Sequence, residues 1–531
     1  MTRMADTTPS PLIARLLDPG AYPHPVGNIT CVETHISWVL LTGTYAYKIK
    51  KPVALGFLDF STLALRREAC FEELRLNRRL APQLYVDVVP IAGPAERAAV
   101  LGPGEPIEYA VRMLEFPQAD QLDRLLEAGR LDEADITRAA LRIARFHDDA
   151  PCVDPGSDFG SAHAIRHSVG ETLRALIPLA VDMAQREAVE TLVAWTRNRL
   201  DALEPAFATR REHGCVRECH GDLHLGNLAR IGDEVVPFDC IEFNAELRWI
   251  DVISDIAFLM MDLAYRDRSR FAFRLTNAYL EARGDYDGVA VLRFYLVYRA
   301  LVRALVALLR RKQLPPKAAA AAAAGDAAAH LQLAQRLASP PAPVLFLMHG
   351  LSGSGKTRVS SGLMERWPAI RVRSDVERKR LLGLAADQST RSGIGAGAYS
   401  RDTNEATYRR LADAASTGLS AGFSMIVDAA SLQHPQRERF RALAAAHGVR
   451  FVIVSCVAPE AELRRRLRER IAHGADASEA DEAVLDGQLD QDEPLDASEL
   501  ADAIIVDTVT AVDADAIVAR LSAACATTER G

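Results

Sequence analysis

No run of this chain approaches the ~18 uninterrupted apolar residues of a membrane-spanning helix. The opening MTRMADTTPSPLIARLLDPG interrupts any apolar stretch with an acid, prolines and an arginine. Neither a spanning segment nor a secretory leader is therefore expected. An excess of positive charge is missing as well: 63 Lys and Arg stand against 71 Asp and Glu, a formal net charge of -8. That balance offers no broad cationic surface to a nucleic-acid backbone, so nucleic acid is not the expected partner. The eight cysteines, at 31, 70, 152, 215, 219, 240, 456 and 525, are too scattered for a disulfide framework. Reduced thiols and a cytoplasmic location fit. Cys215 and Cys219 lie near His213 and His220, but their Cys-x3-Cys spacing is unusual for zinc, and incidental cysteines are expected. No internal repeat with a period of about 20–50 residues is visible.

What remains is an ordinary globular composition, 49% hydrophobic and 25% charged, in a chain too long for one core. The clearest boundary is the Pro- and Ala-rich stretch 313–342, read as a partly helical, semi-rigid linker between a domain at 1–312 and another at 343–531, with the Ala run alternatively a terminal helix of the first domain. In the first, Ile36–Leu41 and Tyr45–Lys50 read as a hairpin around Thr42-Gly43-Thr44. A helix capped by Ser61 follows, stopped before Pro82, then a strand at Tyr109–Leu114 and mostly helix from Ala119. In the second, Val344–Met348, Ile370–Val372, Met425–Val427, Phe451–Val454 and Ile504–Val506 alternate with helical patterns. They predict a five-stranded, mostly parallel, doubly wound sheet with ligands at the carboxyl ends of its strands.

Two motifs carry chemistry. His220-Gly221-Asp222-Leu223-His224-Leu225-Gly226-Asn227 has the spacing of a kinase catalytic loop. Phosphoryl transfer needs a held metal, neutralised phosphates and a carboxylate near the acceptor hydroxyl. Asp222 can orient or deprotonate the acceptor, and Asn227 can reach a magnesium ion. Asp239 ends the run Val235-Val236-Pro237-Phe238-Asp239 and is the natural second metal ligand across a short hairpin. The plain reading is a turn in which Asp222 and Asn227 cap backbone donors; the full spacing with Asp239 favours a phosphotransferase site. GLSGSGKT at Gly350–Thr357 is a Walker A match between a strand and a helix. There Gly350, Gly353, Ser354 and Gly355 shape the loop, Lys356 reaches the β/γ oxygens and Thr357 faces magnesium. Asp375 is placed as a base for a second acceptor, and Asp428 as a support for magnesium, each alternatively a helix cap. Of the arginines 464, 465, 466, 468 and 470 on one helix, Arg466 and Arg470 are the candidates for a lid on the transferred group. The acidic stretch from Asp476 to Asp502 reads as a solvated segment near that lid.

On HGDLHLGN and VVPFDCIEFN, residues 32–309 resemble the aminoglycoside phosphotransferase and choline kinase branch of the protein-kinase-like superfamily. The resemblance implies a bilobal α+β fold, Asp222 as base, Asn227 and Asp239 as magnesium ligands, and His220 and Asp255 as braces of the loop. It implies Lys48 on the nucleotide phosphates, with Lys50 the rival, and an ion-pair partner from the next helix, Glu73 before Glu72 and Glu68. The G-x-G-x-x-G of protein kinases is absent, with only Gly43 ahead of the lysine strand, so protein substrates are disfavoured. Residues 343–506 are similar to small P-loop kinases such as gluconate kinase, chloramphenicol phosphotransferase and zeta-toxin-like enzymes; no sensor or arginine-finger segment of a motor ATPase follows. The combined expectation is an ATP- and Mg2+-dependent phosphotransferase with two nucleotide sites acting on hydroxyls of small molecules, its oligomeric state open. The alternative is a regulatory protein in which one domain is idle and switches the other.

Overall fold

The computed structural model describes residues 10–55, 58–180, 183–313, 318–384, 388, 400–473, 480–510, 515 and 517–520. Pro315 and Pro316 of the expected linker and Asp476 of the acidic stretch lie outside the described residues. The chain divides into two compact units, residues 1–160 with 214–255, and residues 161–213 with 256–531.

The first unit is built on an antiparallel sheet with the order Thr30–Glu33, Ser37–Leu41, Tyr45–Lys50, Pro106–Leu114, Tyr85–Ala92, Ala99–Val100. The hairpin forms where the sequence places it, and Gly43 takes the positive φ of +90° that its tight turn requires. Strand periodicity then sorts the next strand's side chains. Tyr47 and Ile49 pack with Ile13, Leu16 and Val89, while Lys48 and Lys50 point to the opposite face and meet Glu73 of the helix Leu63–Asn77. That helix starts later than expected, because Thr62 rather than Ser61 caps it, accepting from Leu65 N at 3.3 Å. It also ends early, at Asn77. The Asn77 side chain donates to Glu73 O at 2.9 Å and accepts from Cys240 N at 2.9 Å, so it ties the helix end to the segment after Asp239.

In the second unit, all five expected apolar runs are strands of one sheet among the described residues, and every pairing is parallel. The order is Ala369–Arg373, Ser424–Asp428, Val344–His349, Arg450–Val457, Ala503–Asp507. The Walker A strand is central, each of its residues buried, as two-sided cover demands. Helices Lys356–Arg366, Arg401–Ser420 and His434–Ala446 connect these strands.

The alanine-rich stretch differs from a spacer. Ala318–Ala338 is a helix packed along Val289–Gln313, with Ala327, Leu331, Leu333 and Ala334 buried. Alanine's helix propensity was legible; its small side chains also permit close helix approach, which propensity does not reveal. The helices Ser269–Arg283 and Val289–Gln313, assigned from sequence to the first domain, belong to the same compact unit as the parallel sheet. No described helix is long and apolar enough to cross a membrane.

Candidate active sites

In the first unit, the loop 220–227 is fixed largely by groups other than its own acid. Asp255, fully buried, accepts from His220 N at 3.0 Å and Gly221 N at 2.9 Å, and pairs with His147 Nε2 at 3.1 Å. His220 accepts from Asp222 N through Nδ1 at 3.2 Å and donates from Nε2 to Phe238 O at 2.8 Å, so one imidazole bridges the loop to the hairpin strand. Gly221 has φ +88°, and a Cβ there would sit 2.7 Å from Leu247 O. The hairpin Leu228–Ile231 with Glu234–Pro237 pairs Leu228 with Pro237, and Phe238 N donates to Asn227 O at 2.9 Å. Asn227 and Asp239 therefore flank the same open hairpin end. Asn227 Nδ2 lies 3.2 Å from Asp222 Oδ2. Asp239 is left-handed, at φ +65°, and its N–H donates to the Tyr85 hydroxyl at 3.1 Å.

The two lysines divide their partners. Both bind Glu73, Lys48 at 2.8 Å, and Lys48 additionally holds Asp239 while Lys50 holds Glu242. Lys48 is thus the lysine on the Asp239 side, and Lys50 is wholly enclosed. Glu72 turns instead to Arg75 and Arg248, and Glu68 is exposed. Burial opposes charge on Lys48, Lys50 and Glu73, but the opposite charges around each outweigh it, Glu242 foremost for Lys50. Lys48 is held well above the ordinary lysine value by Asp239 and Glu73, and the two ammonium groups bring Glu73 down to about 2. Glu242, Tyr85 and Asn77 were missed from sequence. Glu242 stands three residues after Asp239 in the quoted motif and could have been found; the other two act through tertiary contacts. Of the zinc-tempting residues, Cys219 lies near His147 and Asp255, but Asp255 is committed to the loop amides.

In the second unit, Ser352, Gly353, Gly355, Lys356 and Thr357 line a cavity of about 840 Å³ that also takes in Asp375, Asp428, Arg466 and Arg470. Ser354 is buried and is not among the lining residues. The loop needs its glycines: Gly350 has φ +134° and a Cβ would meet Cys456 O at 2.4 Å, and Gly353 has φ +81° with Leu463 O at 2.9 Å. Gly350→Ala is accordingly expected to cost roughly 1–3 kcal/mol through strain and overlap, read as a lower denaturation midpoint of the intact chain. Lys356 Nζ donates to Gly350 O at 2.8 Å and Leu351 O at 2.9 Å. Desolvation lowers its pKa, with Asp428 opposing. Asp428 ends its strand and accepts from Ser360 Oγ at 2.8 Å, and it caps no helix. Asp375 lies in the first turn of Ser374–Leu381, whose cap position is Arg373, and pairs with Arg378 at 3.1 Å. Arg466 and Arg470, four apart, share the helix face toward the cavity. Arg466 binds Gly353 O at 3.2 Å and Thr508 O at 2.7 Å, and Arg470 binds Ala480 O at 2.5 Å. Arg464, Arg465 and Arg468 pair with acids, Arg464 with Asp486 and Arg468 with Glu482 of the acidic stretch among them.

Both donor sets suit a magnesium nucleotide. In the first unit, carboxylate and amide oxygens flank one hairpin end beside a lysine; in the second, a glycine-shaped loop opens on a cavity holding a lysine, a threonine hydroxyl and two carboxylates.

The family model described as AAA domain matches residues 345–495. A choline/ethanolamine kinase family protein from Mesorhizobium loti is 13% identical, with a TM-score of 0.38 over 59% of this chain and 89% of that one. A kinase structure from Chloroflexus aurantiacus, described as putative, is 24% identical, with a TM-score of 0.28 over 34% of this chain and 98% of that one. The uncharacterized protein Rv2004c of Mycobacterium tuberculosis is 31% identical over 461 residues, covering 86% of this chain and 89% of that protein. The chain belongs to the family of that mycobacterial protein.

Proposed function

We propose that the chain is an ATP-dependent phosphotransferase with two magnesium nucleotide sites, each passing a γ-phosphoryl group to a hydroxyl of a small molecule. The observation that carries the reading is the Lys48 ammonium bound at once to Glu73 and Asp239, three groups from separate segments, beside a braced HGD loop. A lysine so held is a fixed cation for nucleotide phosphates, and Asp239 with Asn227 would hold Mg2+. Magnesium in such a site neutralises phosphate charge. Asp222 would orient the acceptor and take its proton. In the second site Lys356 would bind the β/γ oxygens, Thr357 and Asp428 would serve the metal, Asp375 would face the acceptor, and Arg466 and Arg470 would close over the phosphates. Residues 343–531 are taken as the segment carrying this second nucleotide site.

Release of ADP by the intact chain, screened against sugars, amino alcohols, aminoglycosides and nucleosides, tests the reading. Turnover should split into one component lost in Asp239→Asn and another lost in Lys356→Ala. Asparagine is preferred at 239 because it tolerates the left-handed backbone there. Its expected defect is weaker magnesium-dependent nucleotide binding. A screen yielding no small-molecule acceptor, with a protein phosphorylated instead, would overturn the substrate class.

A further inference from the structure

Helix Ser269–Arg283 grips the second-unit sheet at its edge strand. Asn277, 2% exposed, donates from Nδ2 to Ala369 O at 3.0 Å and accepts through Oδ1 from Arg371 N at 2.6 Å. Tyr286, just beyond the helix, donates its hydroxyl to Arg371 O at 3.1 Å. The backbone of Arg371 is therefore held through both its N–H and its C=O.

The Arg371 side chain runs the other way along a continuous polar path. Its Nη2 lies 3.4 Å from Glu281 Oε2, and its Nη1 donates to Ser360 Oγ at 3.1 Å and Ser361 Oγ at 2.7 Å. The Ser360 hydroxyl has two acceptors within reach, Thr357 O at 3.1 Å and, closer, Asp428 Oδ2 at 2.8 Å. Ser360 is fully buried, and Arg371 and Asp428 are 7% and 5% exposed, so water competes little for these bonds. Glu281 also holds Arg373 at 2.8 Å, at the end of the same strand and ahead of Asp375.

We infer that Glu281 is a positioning residue for the Walker A site, acting through Arg371 and Ser360 on the Asp428 carboxylate. The inference rests on the proposed role of Asp428 in serving magnesium. The physical basis is that a carboxylate near a metal is oriented by the donors behind it, and that losing such a partner commonly costs about 10–100-fold in metal affinity. Glu281 stands two side chains further back, so a smaller effect is expected.

The test uses the full chain and a readout local to the site: hydrogen–deuterium exchange of the peptide covering 350–364, titrated with Mg2+ at saturating ATP. Glu281→Gln should raise the Mg2+ concentration for half-maximal protection about three- to tenfold, with metal-free ATP protection unchanged. Glu281→Asp, which keeps the charge, should recover part of the shift. Ser360→Ala breaks the middle link, and the double variant with Glu281→Gln should show no more than the larger single effect, because both act through one path. Unchanged magnesium dependence in Glu281→Gln, or additive effects in the double variant, would overturn the inference. Lys356→Ala separates the two levels. If ATP still protects the loop in that variant, the nucleotide-site reading falls. If protection is lost there and Glu281→Gln behaves as wild type, only the positioning role falls.

Discussion

Asp222→Asn is expected to leave nucleotide affinity intact and to slow phosphoryl transfer by the first site roughly 10²- to 10⁴-fold, the range for a lost general base. The separation follows from how the loop is held. His220 and Gly221 are fixed by the Asp255 carboxylate and by the bond from His220 to Phe238 O, none of which involves the Asp222 side chain. An asparagine can still offer an oxygen to Asn227 Nδ2, now 3.2 Å from Asp222 Oδ2. What disappears is the anionic oxygen able to accept the acceptor's proton. ATP binding by calorimetry beside initial rates with an acceptor found in the screen would check this. Equal losses of affinity and rate would instead place Asp222 among the groups holding nucleotide.

The second large effect concerns cutting the chain. Residues 343–531 expressed alone are expected to lack the cooperative thermal transition of the intact protein, although the Walker A motif and all five strands of its sheet lie within that segment. The cut removes both Asn277 bonds to the edge strand and the Tyr286 bond to Arg371 O. It also removes the Arg293 guanidinium, which donates to Ala421 O at 2.7 Å and Gly422 O at 2.8 Å and lies 4.2 Å from the centre of the Phe423 ring. Neutral bonds are worth about 0.5–1.5 kcal/mol each and those of a charged donor about 1.5–3. The sum is several kcal/mol, comparable with the ~5–15 kcal/mol that keeps a domain folded. Differential scanning calorimetry of the segment and the intact chain decides the matter. A segment melting cooperatively within a few degrees of the full protein would mean that the helices merely rest on the sheet.

The packing of the alanine-rich stretch was less legible than its helicity. Proline-bounded alanine reads as a spacer because composition reports local stiffness and helix propensity; nothing in it encodes Leu331 and Ala334 buried beside another helix. The same limit applies to Asn277, Glu281 and Arg371, whose contacts span about 90 positions and leave no periodic trace. Legible features were those written locally: the hairpin around Gly43, the HGD loop followed by Asp239, the glycine loop between a strand and a helix, and the five apolar runs. Glu73 over its neighbours needed the helix's actual rotation, which places it under both lysines while Glu72 turns to Arg248.

The side chain of Asn277 imitates one peptide unit of a neighbouring strand, presenting a donor and an acceptor to Ala369 and Arg371 as a sixth strand would. In the intact chain this occupies the ladder positions by which a sheet margin recruits other molecules. Asn277→Leu would open that margin in a protein that is otherwise whole. The outcome to look for is self-association through added strands, seen as light scattering and thioflavin-positive material at concentrations where the unaltered chain stays clear.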